Sequence, residues 1–413
     1  MLTMQGQRIS HPPFLKHSKK VLQSQYKYVN QNGQYFPLFF VHDGFQMPND
    51  GGDLMSTNTQ PTQKTFNRRE FIKLSSLLGL GVTAGALIPR AESVAFNRRL
   101  QKVSLTRLGM GTFITITVMD PSRVKAEEAI ERAFDEIDHV ASLMDRYRTD
   151  SPVAILNQEG RINHVPPHVS YVVSRSLYYY KKTKGAFDIT VKPLIDLYNR
   201  YIEDYRSLPG QKEVDRALKL VDGSAISLDN GAIHFKKEGM GITLDGIAKG
   251  YVVDRAIRII QQNGIQHALV DAGGDIRATG GKEGSTPWKI GIRDPWETKS
   301  CLETVSVING SVATSGNYEI FFDNEKLYHH IMNPRTGVSP RRSVSVSIIA
   351  PRALDADAIS TAVFVLEPEE GMRFVSSLPD TECLIIDRNK KKTFSKAWPS
   401  AQWLNEKSNT LAS

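Results

Sequence analysis

The chemistry-bearing residues of this chain gather in six short stretches. Gly185-Ala186-Phe187-Asp188-Ile189-Thr190 runs into Val191-Lys192-Pro193-Leu194. Leu244-Asp245-Gly246-Ile247-Ala248-Lys249-Gly250-Tyr251 opens a helical pattern, and Asp271-Ala272-Gly273-Gly274-Asp275-Ile276 follows a strand pattern. Thr314-Ser315-Gly316-Asn317-Tyr318, the run from His330 to Gly337, and Asp355-Ala356-Asp357-Ala358-Ile359-Ser360-Thr361-Ala362 complete the set. Glycine permits close backbone approach, and a helix start offers free N–H donors. With Lys249 beside them, these features suit a phosphate or pyrophosphate. Each stretch taken alone is more often a tight loop than a ligand cradle.

The last stretch is more specific. If 355–365 is helical, Asp357 and Thr361 lie four apart and share one face. A carboxylate and a hydroxyl are hard oxygen ligands. Mg²⁺ takes such ligands and commonly bridges them to substrate phosphates. No His/Cys spacing favours zinc. A helix cap at Asp355 or Asp357 is the alternative that the sequence leaves open.

The elements that must position these residues follow from periodicity. Phe113–Met119 alternates and is β-branched, hence a strand. Asp120-Pro121 then offers an N-cap with proline at the first helical position, ahead of an amphipathic helix bearing Ala126, Ile130, Phe134, Ile137 and Met144 on one face. Further helices are expected over 169–182, 247–262 (closed by Asn263-Gly264), 355–365 and 368–377. Strands are expected over 266–271, 288–293, 303–308, 343–349 and 382–387. No GxGxxG follows a first strand and no regular βαβ repeat appears, which argues against a Rossmann fold. The expected architecture is α+β, one catalytic unit with an antiparallel-rich mixed sheet.

Composition sets outer limits. The chain has 413 residues, 40% hydrophobic and 23% charged, as in ordinary globular proteins. Two cysteines, Cys301 and Cys383, cannot build a disulfide scaffold or a four-cysteine zinc site. The net charge of +8 is unevenly placed: residues 1–95 hold 10 Lys/Arg against 5 Asp/Glu, and the rest is nearly balanced. No Arg-rich stripe interleaved with aromatics marks a nucleic-acid groove, so no nucleic-acid partner is expected.

Arg68-Arg69-Glu70-Phe71-Ile72-Lys73 precedes an uncharged run from Leu74 to Ile88, with Ser93-Val94-Ala95 as a cleavage site. The run is short for a transmembrane helix, and the arrangement resembles a twin-arginine export signal. An uncleaved amphipathic anchor is the alternative. The expected division is a non-structured or mis-assigned extension over 1–54, the signal over 55–95 and the catalytic domain over 96–413. Met55 or Met47 is the expected start, and the mature protein is expected on the periplasmic side of the cytoplasmic membrane.

Together the stretches resemble the ApbE-type FAD:protein FMN transferases over about residues 105–390. Met110-Gly111-Thr112, Ser142-Leu143-Met144-Asp145-Arg146-Tyr147 and Leu156-Asn157 extend the match in the family's order. The resemblance implies an ApbE-like, T-fold-like architecture and a transferase. Such enzymes cleave FAD, release AMP and join FMN by a phosphoester to a Thr or Ser of an acceptor protein. It further implies that Met110, Tyr147, Ala186, Phe187 and Asp188 line the FAD site, that Lys249 faces the pyrophosphate, and that His330 and Ile331 lie close to the dinucleotide. The implied Mg²⁺ ligands are the Gly246 carbonyl, Asp357 and Thr361. Many members carry Asp-Leu where this chain has Thr243-Leu244 followed by Asp245, so either Thr243 or Asp245 is the flavin-nucleotide contact. His330 is the candidate base for the acceptor hydroxyl, and His329 is expected to point the other way.

Two other classes stay open. One is a metal-dependent FAD pyrophosphatase giving FMN and AMP, and the other is a non-enzymatic exported FAD-binding protein. The expected partners are FAD and an acceptor with a Ser/Thr flavinylation segment, such as a membrane electron-transfer subunit. No convincing copy of such a segment occurs in 96–413.

Overall fold

The computed structural model describes residues 100–229, 231–282, 286–297, 300–318 and 329–398. The expected extension, signal and cleavage site fall outside the described residues. Among these, no helix is long and apolar enough to cross a membrane.

An eight-stranded sheet forms the centre. Strands β1 (Gln101–Gly109) and β2 (Thr112–Asp120) form a hairpin that continues into β6 (His267–Ala272) and β7 (Asp275–Thr279). Next come β10 (Gly310–Gly316), β11 (Ser343–Ala350), β12 (Glu382–Asp387) and β13 (Lys392–Phe394). Every neighbouring pair is antiparallel. Short strands β3 (Arg161–Ile162), β4 (Ile226–Asp229) and β5 (Ala232–Phe235) make a separate small sheet. Strands β8 (Trp288–Arg293) and β9 (Cys301–Val307) pair only with each other.

Alternation along the strands sorts two cores. Ile114, Ile116 and Val118 of β2, Ala268 and Val270 of β6, and Val346 and Ile348 of β11 face one core with the helices. Met119, Leu269, Ile349 and Leu384 face the opposite side, where Trp288, Ile290 and Ile292 of β8 pack on them. Because both faces are covered, β11 is buried along its whole length.

The helical side is built from α1 (Arg123–Met144), α2 (Pro152–Glu159), α3 (Pro167–Lys182), α4 (Lys192–Tyr205), α5 (Gln211–Leu218), α6 (Ala248–Gln262), α7 (Ala353–Val365) and α8 (Pro368–Ser376). The α+β expectation holds, and the strands at 288–293 and 382–387 fall where alternation puts them. Helix α1 starts later than expected: Ser122 is its N-cap, accepting from the Lys125 amide, while Asp120 closes the preceding turn by accepting from the Ser122 amide. Helix α7 starts at Ala353, so neither Asp355 nor Asp357 is its N-cap residue. Its first amides donate instead to Asp254 of α6, Ala353 N at 2.9 Å and Leu354 N at 3.0 Å.

Helices α6 and α7 cross at Gly250. A Cβ placed there would sit 2.2 Å from the Ala353 carbonyl oxygen and 2.8 Å from the Leu354 Cα. Two backbones therefore touch where only glycine fits. In a helix, Gly→Ala ordinarily gains about 0.5–1 kcal/mol. Here Gly250→Ala is expected to reverse that sign and cost about 1–3 kcal/mol through overpacking. Thermal or denaturant melts check it, and an unchanged or raised midpoint would show that the crossing can relax.

Candidate active site

Between the helical layer and the sheet end opens a cleft of about 1360 Å³. That exceeds the roughly 300–1,000 Å³ of common small-molecule pockets and leaves room for a dinucleotide. Met110, Tyr147, Ala186, Phe187, Asp188, Thr243, Asp245, Gly246, Lys249, His330, Ile331, Asp357 and Thr361 all line it. They come from six separate chain segments, most of them turns or element ends, with Asp357 and Thr361 presented from within α7.

Met110 and Gly111 form the two-residue turn of the β1–β2 hairpin, both at positive φ (50° and 75°). This is the geometry that two-residue hairpins favour, and Met110 adopts it without glycine's freedom. Tyr147 follows α1. Its amide donates to Asp145 Oδ1 at 2.9 Å, and its ring stays 70% exposed. The Arg146 guanidinium lies 4.7 Å from the Tyr147 ring centroid and donates to its hydroxyl at 2.7 Å. Arg146 is itself held by Asp245 at 3.2 Å and Asp196 at 3.8 Å. The result is an aromatic plate, backed by a cation, standing in the cleft.

Ala186 and Phe187 are buried in the wall. The Asp188 carboxylate is committed locally: Oδ1 accepts from the Thr190 amide (2.8 Å) and hydroxyl (2.6 Å), and Oδ2 from the Gly223 amide (3.1 Å). Burial pushes its carboxyl pKa upward, against these hydrogen bonds. Asp188 thus shapes the wall with its backbone while its carboxylate holds the turn. Thr243 and Asp245 both border the cleft. The Thr243 hydroxyl is buried and accepts from the Asp245 amide at 3.3 Å, whereas the Asp245 carboxylate is exposed toward Arg146.

Asp357 is 4% exposed, and its Oδ2 accepts from the Gly250 amide at 3.0 Å. It therefore sits at the positive end of α6, where a carboxylate is favoured. One turn on, Thr361 Oγ1 lies 3.3 Å from Ser315 Oγ, which in turn lies 2.8 Å from Ser360 Oγ. The backbone at Gly246 presses on the same hydroxyl, since a Cβ at Gly246 would lie 3.0 Å from Thr361 Oγ1. Carboxylate, hydroxyl and glycine backbone thus line one part of the cleft, with hard oxygens among their groups. Among the described residues no three His, Cys, Asp or Glu side chains gather into a metal cage. The donor set suits a cation that completes its shell with water and ligand phosphate, as Mg²⁺ does.

Lys249, in the first turn of α6, pairs with buried Asp275 at 3.1 Å. His330 borders the cleft while His329 turns inward and is 1% exposed. The inward ring fixes the segment: His329 N donates to Ser339 Oγ at 2.9 Å, its Nε2 lies 3.1 Å from the Pro340 carbonyl, and its ring meets Phe364 edge-on. His329 is thus the anchoring ring, and His330, its ring centroid 6.3 Å from that of His329, is the one that borders the cleft.

Sequence reading quoted Asp271 and Asp275 only as parts of a turn, and left out Arg293. All three line the cleft. Their signal is tertiary: Asp275 matters through its pairing with Lys249, and Arg293 is brought in by the β8–β9 hairpin, over the Tyr318 ring at 4.8 Å.

The fold is that of a known class of flavin-handling proteins. The ApbE protein of Thermotoga maritima MSB8 superposes with a TM-score of 0.67 at 30% identity, covering 73% of this chain and 99% of that one. The flavin transferase ApbE from Vibrio cholerae superposes with a TM-score of 0.64 at 25% identity, over 73% and 99%. The ApbE family model matches residues 110–385, and the chain belongs to the ApbE family. It is 34% identical over 316 residues to the FAD:protein FMN transferase of Treponema pallidum (strain Nichols), covering 71% of this chain and 86% of that protein. The Escherichia coli (strain K12) protein of the same name is 30% identical over 277 residues, covering 64% and 79%.

Asp271 gives the site a pH signature. Burial raises its pKa to about 6, partly offset by the hydrogen bond from the Gly274 amide. A carboxyl raised in the folded state is ionised there at a cost. That cost is absent below about pH 4, where it is protonated both folded and unfolded, and is complete above about pH 6. Asp271→Asn is therefore expected to stabilise the ligand-free protein by about 1–3 kcal/mol at alkaline pH, the cleft's water reducing the full value, and to have no effect in acid. Melts of both proteins across pH check it, and a difference independent of pH would count against the burial cost.

Proposed function

We propose that this chain is a Mg²⁺-dependent FAD:protein FMN transferase acting outside the cytoplasmic membrane. What carries the reading is the meeting of Asp357, Thr361 and the Gly246 backbone beside Lys249 in one dinucleotide-sized cleft. A cation and a lysine at one point suit a pyrophosphate and little else in a flavin dinucleotide.

In this reading Tyr147 and Met110 receive the flavin ring, and Lys249 compensates pyrophosphate charge. Asp357, Thr361 and the Gly246 carbonyl would hold Mg²⁺, which supplies charge neutralisation at the phosphates. The acceptor Ser or Thr hydroxyl attacks the phosphorus of the FMN half. A new P–O bond forms, the bond to the AMP phosphate breaks, and AMP leaves with the electron pair. His330 takes the hydroxyl proton as the attack proceeds. Lys249 is drawn from Asp275 toward the phosphates, and the anionic ligand replaces that partner.

One experiment separates cation holding from proton transfer. Asp357→Asn keeps an oxygen acceptor for the Gly250 amide, so the fold should survive. It is expected to lose most Mg²⁺-dependent FMN transfer and to require a higher Mg²⁺ concentration. His330→Ala should retain FAD affinity and Mg²⁺ dependence while transfer falls by about 10²–10⁴-fold, the usual contribution of a general base. Single-turnover transfer, FAD titration and melts read these outcomes. Unaltered transfer in either variant removes that residue from its role, and free FMN with no labelled acceptor in the wild type would make the enzyme a pyrophosphatase.

The Arg68-Arg69 pattern and the Ser93-Val94-Ala95 site support export, with acceptors in the same compartment such as membrane electron-transfer subunits. The mature chain is expected to begin near Phe96. N-terminal sequencing of protein from a periplasmic fraction checks this, and a full-length cytoplasmic product would refute it.

A further inference from the structure

Strand β10 is covered unequally on its two edges. Its ladder with β11 runs from Ser311 through Gly316. Its ladder with β7 includes only Gly310, Ser311 and Val312. Strand β7 begins at Asp275, and the chain ahead of it turns away through Gly273 and Gly274, both at positive φ. Among the described residues, no strand lies against the Ala313–Gly316 edge on that side.

The direction of the main chain there can be assigned. The Asn317 amide donates to the Val344 carbonyl at 3.1 Å, so Asn317 faces β11. Facing alternates along an antiparallel strand. Ser315 and Ala313 therefore also face β11, and Thr314 and Gly316 direct their N–H and C=O groups over the open edge.

This edge borders the cleft through Thr314, Ser315 and Gly316. It also runs past the candidate cation site, because Ser315 Oγ is 3.3 Å from Thr361 Oγ1. A small cavity marks the fork between the Gly273–Gly274 turn and Thr314, with Arg293 and Tyr318 on its rim. Unpaired strand edges are templates for pairing with another chain, and proteins generally cover or blunt them. Among the described residues this one has no strand paired to it, and it lies where a second polypeptide must enter for transfer to occur. A dinucleotide has no alternating row of N–H and C=O groups to match it, whereas an extended peptide does.

We propose that the acceptor protein docks an extended segment as an added β-strand on the Ala313–Gly316 edge of β10, bringing its Ser or Thr hydroxyl beside Thr361 and His330. The proposal rests on the transferase reading above and names how its protein substrate is held. Pairing along four residues spans about 13 Å and gives main-chain affinity with little demand on sequence.

The test uses the wild-type enzyme with FAD, Mg²⁺ and a library of short peptides, each with one central Thr and randomised flanks. Peptides that gain FMN are identified by mass, and the best is resynthesised with one N-methylated amide at a time. Transfer is expected to fall at least about tenfold at every second amide and to change little at those between, the loss being that of one or two good hydrogen bonds. As a second arm, Thr314→Pro removes an edge N–H and keeps the main-chain bonds to β11, and Thr314→Ala controls for the lost Thr314 Oγ1–Ser347 Oγ contact at 2.8 Å. Relative to Thr314→Ala it should raise the peptide KM at least about tenfold, well beyond any change in FAD affinity measured beside it. A flat N-methyl profile on a labelled peptide, or a wild-type peptide KM in a folded Thr314→Pro enzyme, would overturn strand docking alone. AMP release with no peptide of any sequence labelled would overturn the transferase reading, and this proposal with it.

Discussion

The backbone contact between α6 and α7 at Gly250 is the constraint on which the site depends. With no side chain there, the Ala353 carbonyl and the Leu354 Cα come within reach of the α6 backbone. That approach lets the Gly250 amide bond to Asp357, and it accompanies the close passage of the Gly246 turn by Thr361. Asp254, one turn further along α6, accepts the first two amides of α7. Two helices are thus joined at two levels by backbone-to-carboxylate hydrogen bonds. Such charge-assisted bonds are stronger than neutral ones and fix orientation as well as distance.

Burial explains why the carboxylates of α7 need these partners. Almost every residue of the helix is buried. An ionised carboxylate in that setting must be compensated. Asp355 is compensated by Arg175, Arg352 and the Tyr179 hydroxyl, at 2.9, 2.7 and 2.7 Å. Burial, with the neighbouring Asp355 charge, pushes the Tyr179 phenol well above its ordinary range, so it serves as a donor at all working pH values. Asp357 has the α6 N-terminus and faces the cleft. Two carboxylates two residues apart therefore do different work: one ties α7 to α3, and the other accepts from the α6 backbone and borders the cleft.

The sheet contributes by coming apart. Strands β7 and β10 pair over only three residues before the Gly273–Gly274 turn carries the chain away. Among the described residues no strand continues the ladder there, beside cleft-lining Thr361. The β8–β9 hairpin covers the opposite face and delivers Arg293 to the rim. A continuous eight-stranded ladder at that end would have closed the floor against any second chain.

The sequence alone determined the elements and the chemistry they carry. Alternation and 3.6-residue spacing are local properties, so β8 and β12 and the helices of residues 123–144 and 248–262 are legible from residue order. The Asp357–Thr361 spacing is local too, because four residues on a helix share a face. The small-sheet strands, the short β7, and β10 with its glycine, serine and threonine content carry weaker patterns and emerge only in the fold. Tertiary structure alone decided which charges pair. Asp188 turns its carboxylate into a local turn, Asp275 meets Lys249 from another strand, and Arg146 is clamped between Asp245 and Asp196. It also decided that Asp254, and not Asp355 or Asp357, caps α7, because the partner lies about a hundred residues away in sequence. Pairings of that kind depend on how two helices cross. That crossing is set by a single missing side chain at Gly250, whose consequence no local pattern records.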